Sequence, residues 1–204
     1  MIRDATIEDL AALVELHINN FDKNELSQIL GHRFIKAFYS LLLSEKHANI
    51  LVILFEGKIV ATTMVFTQLS KFESSFKYKT LLLALMYLSK NIFNIKKIIH
   101  FIKSVTSKKS THFVPKEIYD YCVATFIIDK PYRKNSLVRE EFFQGYDKNI
   151  SFLKTHTNSY WGSCRVSNQG SLRILQRSGM GKVVKMESFP EDIYIAIKKE
   201  EKQT

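Results

Sequence analysis

The stretch from Ile118 to Met180 constrains the fold more than any other part of the chain. It reads as an apolar strand, a basic turn at Arg133-Lys134, a helix, a second strand, and then Asn168 eleven residues ahead of Gly179. A turn that opens a helix presents free backbone N–H groups and the positive end of the helix dipole, so it suits an anion. The order as a whole suits a site holding a phosphate-bearing cofactor between two strands.

The rest of the pattern places that stretch within an α+β domain. Ile2-Arg3-Asp4-Ala5 predicts a short first strand, and Thr6 with Asp9 three residues on approaches a capping box ahead of a helix ending near Phe21. A second helix is expected from Glu25 to Ser44. Ile50 to Phe55 and Ile59 to Phe66, separated by Glu56-Gly57-Lys58, predict a hairpin. A long strand is expected from Ile118 to Ile128, a helix from Leu137 to Leu153, a strand from Asn158 to Val166, and a short helix from Ser171 to Ser178 stopped by Gly179. Lys182 to Phe189 and Asp192 to Lys198 read as a final hairpin.

At 204 residues, 46% of them hydrophobic, the chain is expected to fold as one domain with a substantial core. The longest apolar run, Leu81 to Leu88, falls well short of the roughly 20 residues of a membrane span, and Met1-Ile2-Arg3-Asp4, with no apolar h-region, is not expected to open a secretory leader. Cys122 and Cys164 stand in no metal-ligand pattern, so two free thiols in a reducing cytoplasm are expected, with no metal. The net charge of +10 is local: nine lysines lie between Lys71 and Lys109 against a single acid, Glu73. This argues against nucleic-acid binding by the protein as a whole.

Asn168, Ser171, Gly179 and Met180 resemble the late motif of the GNAT superfamily of acyl-CoA-dependent acetyltransferases, with Met180 in place of its Phe. The opening Ile2–Leu10 and the hairpin around Gly57 resemble that family too, so the likeness runs over nearly the whole chain. It implies a mixed, mostly antiparallel sheet with splayed central strands, flanked by helices. It also implies acetyl-CoA, or another acyl-CoA, as co-substrate and a primary amine as acceptor. The family's turn, Gln/Arg-x-x-Gly-x-Gly/Ala, aligns with Arg133-Lys134-Asn135-Ser136-Leu137-Val138. Arg133 matches; Ser136 and Val138 replace the small residues, and the β-branched Val138 is expected to crowd the approach of a diphosphate.

The resemblance also assigns roles by position. The backbone of Phe126, Ile127 and Ile128 would pair with the pantetheine arm, and Asn168 would touch the cofactor or cap a turn. The usual base positions carry Ala124 and Cys122, which leaves Asp120 as candidate base. The position of a frequent general-acid Tyr is Leu175, so Tyr160 is the substitute candidate, or the thiolate leaves unaided.

Residues 67–116 form a basic insertion of about fifty residues resembling those of members encoded with surface-polysaccharide genes. That implies an amino sugar, nucleotide-linked or lipid-linked, as acceptor. Leu81, Leu85, Leu88, Ile92, Ile95, Ile99 and Ile102 give the insertion a helical stripe beside its lysines. It therefore reads either as a helix packed on the domain or as one lying on the inner face of an anionic membrane. Phe72, Phe76 and Tyr78 among lysines would line an acceptor mouth or stack on bases, and an acidic acyl carrier protein would also suit the charge. A homodimer is compatible with the sequence. Two rival readings stay open: a GNAT-like binding or regulatory protein without catalysis, and a membrane-surface module.

Overall fold

The computed structural model describes all residues except 24, 45–47, 78–88, 90–98, 100–102, 104–113, 189–190 and 200–204. In chain order the elements are β1 (Ile2–Asp4), α1 (Leu10–Asn20), α2 (Leu26–Leu30), α3 (His32–Ser44), β2 (Ala48–Phe55), β3 (Lys58–Phe66), β4 (Cys122–Ile128), α4 (Ser136–Lys154), β5 (Tyr160–Arg165), α5 (Gln169–Arg177), β6 (Lys182–Met186) and β7 (Ile193–Lys198). The strands form one seven-stranded sheet in the order β1-β2-β3-β4-β5-β7-β6. All neighbours are antiparallel except β4 and β5, which are parallel. This is the mixed, mostly antiparallel sheet with flanking helices that the resemblance implies.

Period-two alternation builds a core on each face. Val52, Met64, Cys122, Trp161, Ile195 and Ile197 point to one face and pack with Leu13, Val14, Ile35 and Tyr39 of α1 and α3. Their chain neighbours Ile53, Val65, Val123, Tyr160 and Ala196 point to the other, where they meet Phe142, Tyr146 and Ile150 of α4 and Leu175 of α5. Both faces being covered explains why the central strands carry apolar residues at successive positions, with Thr62 and Thr63 buried among them.

At the chain's start, the Asp9 carboxylate accepts the Thr6 N–H at 2.8 Å and both arms of Arg3 at 2.6 and 2.8 Å, holding β1 against the start of α1. That guanidinium holds the Asp9 carboxyl below the usual carboxylate range. The hairpin turn is shorter than expected. Glu56 and Gly57 alone form it, both at positive φ (51° and 76°), and Lys58 already pairs with Phe55.

Several expectations are corrected. The helix expected over Glu25–Ser44 is two helices, because Gly31 sits at φ 81°, which ends α2 before α3 begins. The strand expected from Ile118 starts at Cys122, since Lys116–Ile118 is a 3-10 turn and the Tyr121 N–H closes back on the Ile118 carbonyl. Of the insertion, residues 69–77 are helical. Phe72 is buried in the first core against Phe38, Phe66 and Phe76 rather than presented to a ligand. In the apolar stripe from Leu81 to Ile102 only Ile99 is described, helical and half-exposed. The rest of the stripe, Tyr78 and residues 104–110 lie outside the described residues.

Candidate active site

The parallel pair β4–β5 is joined only at Cys122–Trp161 and Val123–Gly162. Beyond Val123 the strands part, and the cause is visible on the other edge of β4. Its register with β3 slips between Met64–Thr125 and Val65–Val123, leaving Ala124 bulged. A bulge bends its strand and raises the local twist, which here turns β4 away from β5 where the parallel ladder ends.

The gap opens two contiguous cavities of about 570 and 340 Å³. The larger reaches from Phe142 and Ile174 on the α4–α5 face, past Phe126, Ile127 and Ile128, to Asn20, Phe21, Asp22 and Glu25 near the end of α1. The smaller lies deeper in the fork, between Ala124 and Thr125 on one strand and Ser163 and Cys164 on the other. Phe21, Glu25, Phe126, Arg165, Asn168 and Ser171 line both and so stand at their junction.

The structure brings Phe126, Ile127, Ile128, Arg133, Asn168 and Ser171 together in this cleft. Asn168 caps α5, its Oδ1 accepting the Ser171 N–H at 3.0 Å. Arg133 is held at two points: Nε donates to the Ile128 carbonyl at 3.0 Å and Nη2 to Asn20 Oδ1 at 3.1 Å. Asn20 also accepts the Lys130 N–H at 3.1 Å and donates to Asp129 at 2.9 Å, so the end of α1 fixes the turn that carries the arginine.

Lys134, Asn135, Ser136 and Leu137 lie just beyond the cavity lining, at the start of α4. Asn135 is the N-cap and its side chain takes the Val138 N–H at 3.1 Å. The amides of Ser136 and Leu137 remain turned to the helix end, and Leu137 is 61% exposed. The expectation that Val138 crowds an approaching anion is overturned. Its side chain is only 1% exposed and packs in the second core with Ile53, Val60, Ala61 and Phe142. The residue is apolar there because the helix turns that position toward the sheet.

Asp120 and Tyr160 sit elsewhere. The Asp120 carboxylate accepts the Ser70 N–H at 2.8 Å and its carbonyl accepts the Leu69 N–H, capping the helical segment 69–77. Tyr160 is fully buried and donates to the Ser178 carbonyl at 2.7 Å; burial raises its pKa. Leu175 is likewise buried against Gly162. The thiols offer no nucleophile. Burial pushes Cys122 up strongly and the cleft-lining Cys164 up to about 11, so both are protonated at neutral pH.

Sequence reading missed the residues that charge the open end. Arg165 at the end of β5 makes a two-armed ion pair with Glu25 at 2.8 Å to each oxygen, and its Nη1 donates to the Glu191 carbonyl at 2.7 Å. The Glu191 carboxylate in turn accepts the Ser167 hydroxyl at 2.8 Å. These residues come from the α1–α2 loop, β5 and the β6–β7 loop, Arg165 and Glu25 alone being 140 positions apart in sequence, and no local spacing signals their meeting. Behind Phe21, His17 stacks at 4.1 Å between ring centroids, bonded to Tyr39 and Ser27. Burial lowers its pKa to about 4, so it is neutral at pH 7. Among the described residues no cluster of three or more His, Cys, Asp or Glu is placed to hold a metal, and no helix is long and apolar enough to cross a membrane.

Solved structures share this overall fold. An N-acetyltransferase from Staphylococcus aureus superposes with a TM-score of 0.57 at 13% identity, over 97% of this chain and 96% of that one. A GNAT-family acetyltransferase from Streptococcus pneumoniae gives 0.54 at 15%, over 97% of each chain. The ribosomal-protein-S18-alanine N-acetyltransferase from Escherichia coli gives 0.55 at 12%, over 100% of this chain and 97% of that one. The chain therefore has the GNAT fold. No protein-family model and no curated protein matches its sequence.

Proposed function

We propose that this protein is a GNAT-type N-acyltransferase that moves an acyl group, acetyl in the first instance, from an acyl-CoA to a primary amine. The observation that carries the reading is the fork between β4 and β5, a cleft through the sheet with cations and a helix N-terminus at one end. Beyond Val123 no described strand pairs with this edge of β4, so its backbone groups, apart from the Ile128 carbonyl that Arg133 holds, are open to an extended amide-bearing arm such as pantetheine. The diphosphate would meet Arg133, Lys134 and the Ser136 and Leu137 amides. Because Asn135 occupies the Val138 amide, the side chains carry more of the anion binding than in a glycine-rich turn.

The chemistry is a balanced acyl exchange. The amine, having given up its ammonium proton to water in the open cleft, attacks the thioester carbonyl and forms the C–N bond. The oxyanion that develops is stabilised by an unpaired N–H on β4. Collapse breaks the C–S bond, and the CoA thiolate takes the proton that the new amide nitrogen loses. A thiol pKa of about 8.5 makes departure without a protein acid tolerable, which suits a cleft whose α5 side offers Ile174 and Ser171. Holding both substrates in one fork supplies much of the acceleration.

Titration calorimetry with acetyl-CoA tests the reading. Saturable binding is expected, weakened by salt and by Arg133→Glu; no binding at millimolar acetyl-CoA would refute it. A second reading, a donor-binding protein without turnover, draws support from Asp120, Tyr160 and Leu175 all lying outside the cavities. Binding without thiol release across an amine panel would favour it.

A further inference from the structure

The charged groups that line the cleft bear on the acceptor. Among the described residues Arg133, Asp22 and Glu191 line the larger cavity, and Glu25 and Arg165 line both, so three carboxylates stand against two cations. Arg133 is tied to Asn20 and the Ile128 carbonyl. Arg165 directs two arms to Glu25 and a third N–H to the Glu191 carbonyl. An arginine in a two-armed pair with a carboxylate is a poor receptor for a further anion, because the newcomer must compete with a charge already in place. The carboxylate keeps unused lone pairs. Glu25 and Arg165 are each 23% exposed, and Glu25 stands at the junction of the two cavities. The smaller cavity adds apolar walls from Phe21, Ala124, Phe126 and Ile193, with hydroxyls from Thr125, Ser163 and Ser188.

We infer that Glu25 is the group that takes the acceptor's ammonium, that Arg165 is a positioning residue holding Glu25 and Glu191, and that the acceptor is a compact amine without phosphate or carboxylate. This rests on the acyl-transfer reading and deepens it. It argues against the nucleotide-linked amino sugar that the insertion's resemblance implies, since a diphosphate beside Arg165 would face Glu25 and the other carboxylates of the lining. Glu25 is well oriented to receive a cation, because a rigid guanidinium fork fixes its two oxygens that would otherwise rotate.

The test is steady-state release of CoA thiol from acetyl-CoA with matched amine pairs: ethanolamine against phosphoethanolamine, and phenylethylamine against phenylalanine. In each pair the uncharged-tail amine is expected to be the better acceptor by at least about tenfold in kcat/KM. Glu25→Gln should raise KM for that amine about tenfold to a hundredfold, the range for losing one charge-assisted hydrogen bond, with the dissociation constant for acetyl-CoA unchanged. Glu25→Asp should recover part of the loss. Arg165→Met should raise the same KM more than it lowers kcat, while Arg165→Lys, which keeps the charge and loses the fork, should fall between. Equal or better use of the anionic partner in both pairs overturns the inference. So does an unchanged amine KM in Glu25→Gln, or an absence of transfer to every amine by a protein that binds acetyl-CoA. Failure to bind acetyl-CoA at all refutes instead the reading beneath it.

Discussion

Gly162 sits in the last ladder pair before β4 and β5 diverge, opposite Val123. A Cβ built there would lie 2.7 Å from Leu175 Cδ2 and 3.2 Å from the Val123 carbonyl oxygen. Carbon atoms in good contact stand about 3.5–4.0 Å apart, so in Gly162→Ala the leucine must retreat by roughly 1 Å. It has no room to do so, being fully buried among Tyr146, Ile150 and Met180. Overpacking of this kind costs about 1–3 kcal/mol, offset by about 0.5–1 kcal/mol for removing a strand glycine. A net loss of about 1–2 kcal/mol is expected, read as a lower urea midpoint at unchanged slope.

The control is the double variant. Leu175→Ala alone should cost about 2–5 kcal/mol through its cavity, but in the Gly162→Ala background the new methyl partly fills that space. The two costs should therefore sum to less than their separate values by at least about 1 kcal/mol. Because Asn168, Ser171 and Ile174 of the same helical region line the cleft, Gly162→Ala should also weaken acetyl-CoA binding. A Gly162→Ala protein as stable as wild type, or strict additivity in the double variant, would refute the argument that this glycine sets how closely α5 approaches the fork.

Other expected outcomes follow from the same geometry. Val138→Gly, which restores the small residue of the resembling turn, should destabilise by about 2–4 kcal/mol through lost burial and helix propensity. It should not tighten acetyl-CoA binding by calorimetry, since the side chain points into the core. Asn20→Ala releases Arg133 and the Asp129–Lys130 turn and should cost about 1–2 kcal/mol in a chemical melt while weakening acetyl-CoA binding. His17 supplies a pH dependence whose sign is definite. Its pKa falls from 6.5 to about 4 on burial, so between those values the unfolded chain binds the extra proton. Stability then rises with pH across that window, and about 3 kcal/mol is lost as pH falls through it. His17→Gln should flatten this part of a urea-midpoint profile taken from pH 4 to pH 8.

The central elements are legible in the sequence because their signals are local. The apolar runs Ile50–Phe55 and Ile59–Phe66, the turn glycine at Gly57, the capping pair Thr6 and Asp9 and the αL glycine at Gly179 each report on the few residues around them. Part of the cleft lining is legible for a related reason. Phe126–Ile128, Arg133, Asn168 and Ser171 lie within one strand–helix–strand–helix run, so motif spacing tracks spatial order. Spacing misleads where orientation decides. Motif position points Val138 at the ligand, but helix phase turns it to the sheet. Counting back along β4 puts Asp120 on a strand that begins only at Cys122.

The sequence by itself determined the alternation of elements, the basic turn at Arg133-Lys134 and the absence of glycines from it, since these are written in neighbouring residues and in short-range sterics. Only the tertiary structure decided where the fork opens, through a bulge at Ala124 and a two-pair parallel ladder. It alone also brought Asn20 to Arg133 and Glu25 to Arg165. Those contacts join segments more than a hundred residues apart, and an ion pair across such a distance exists only after the packed sheet has brought its partners together.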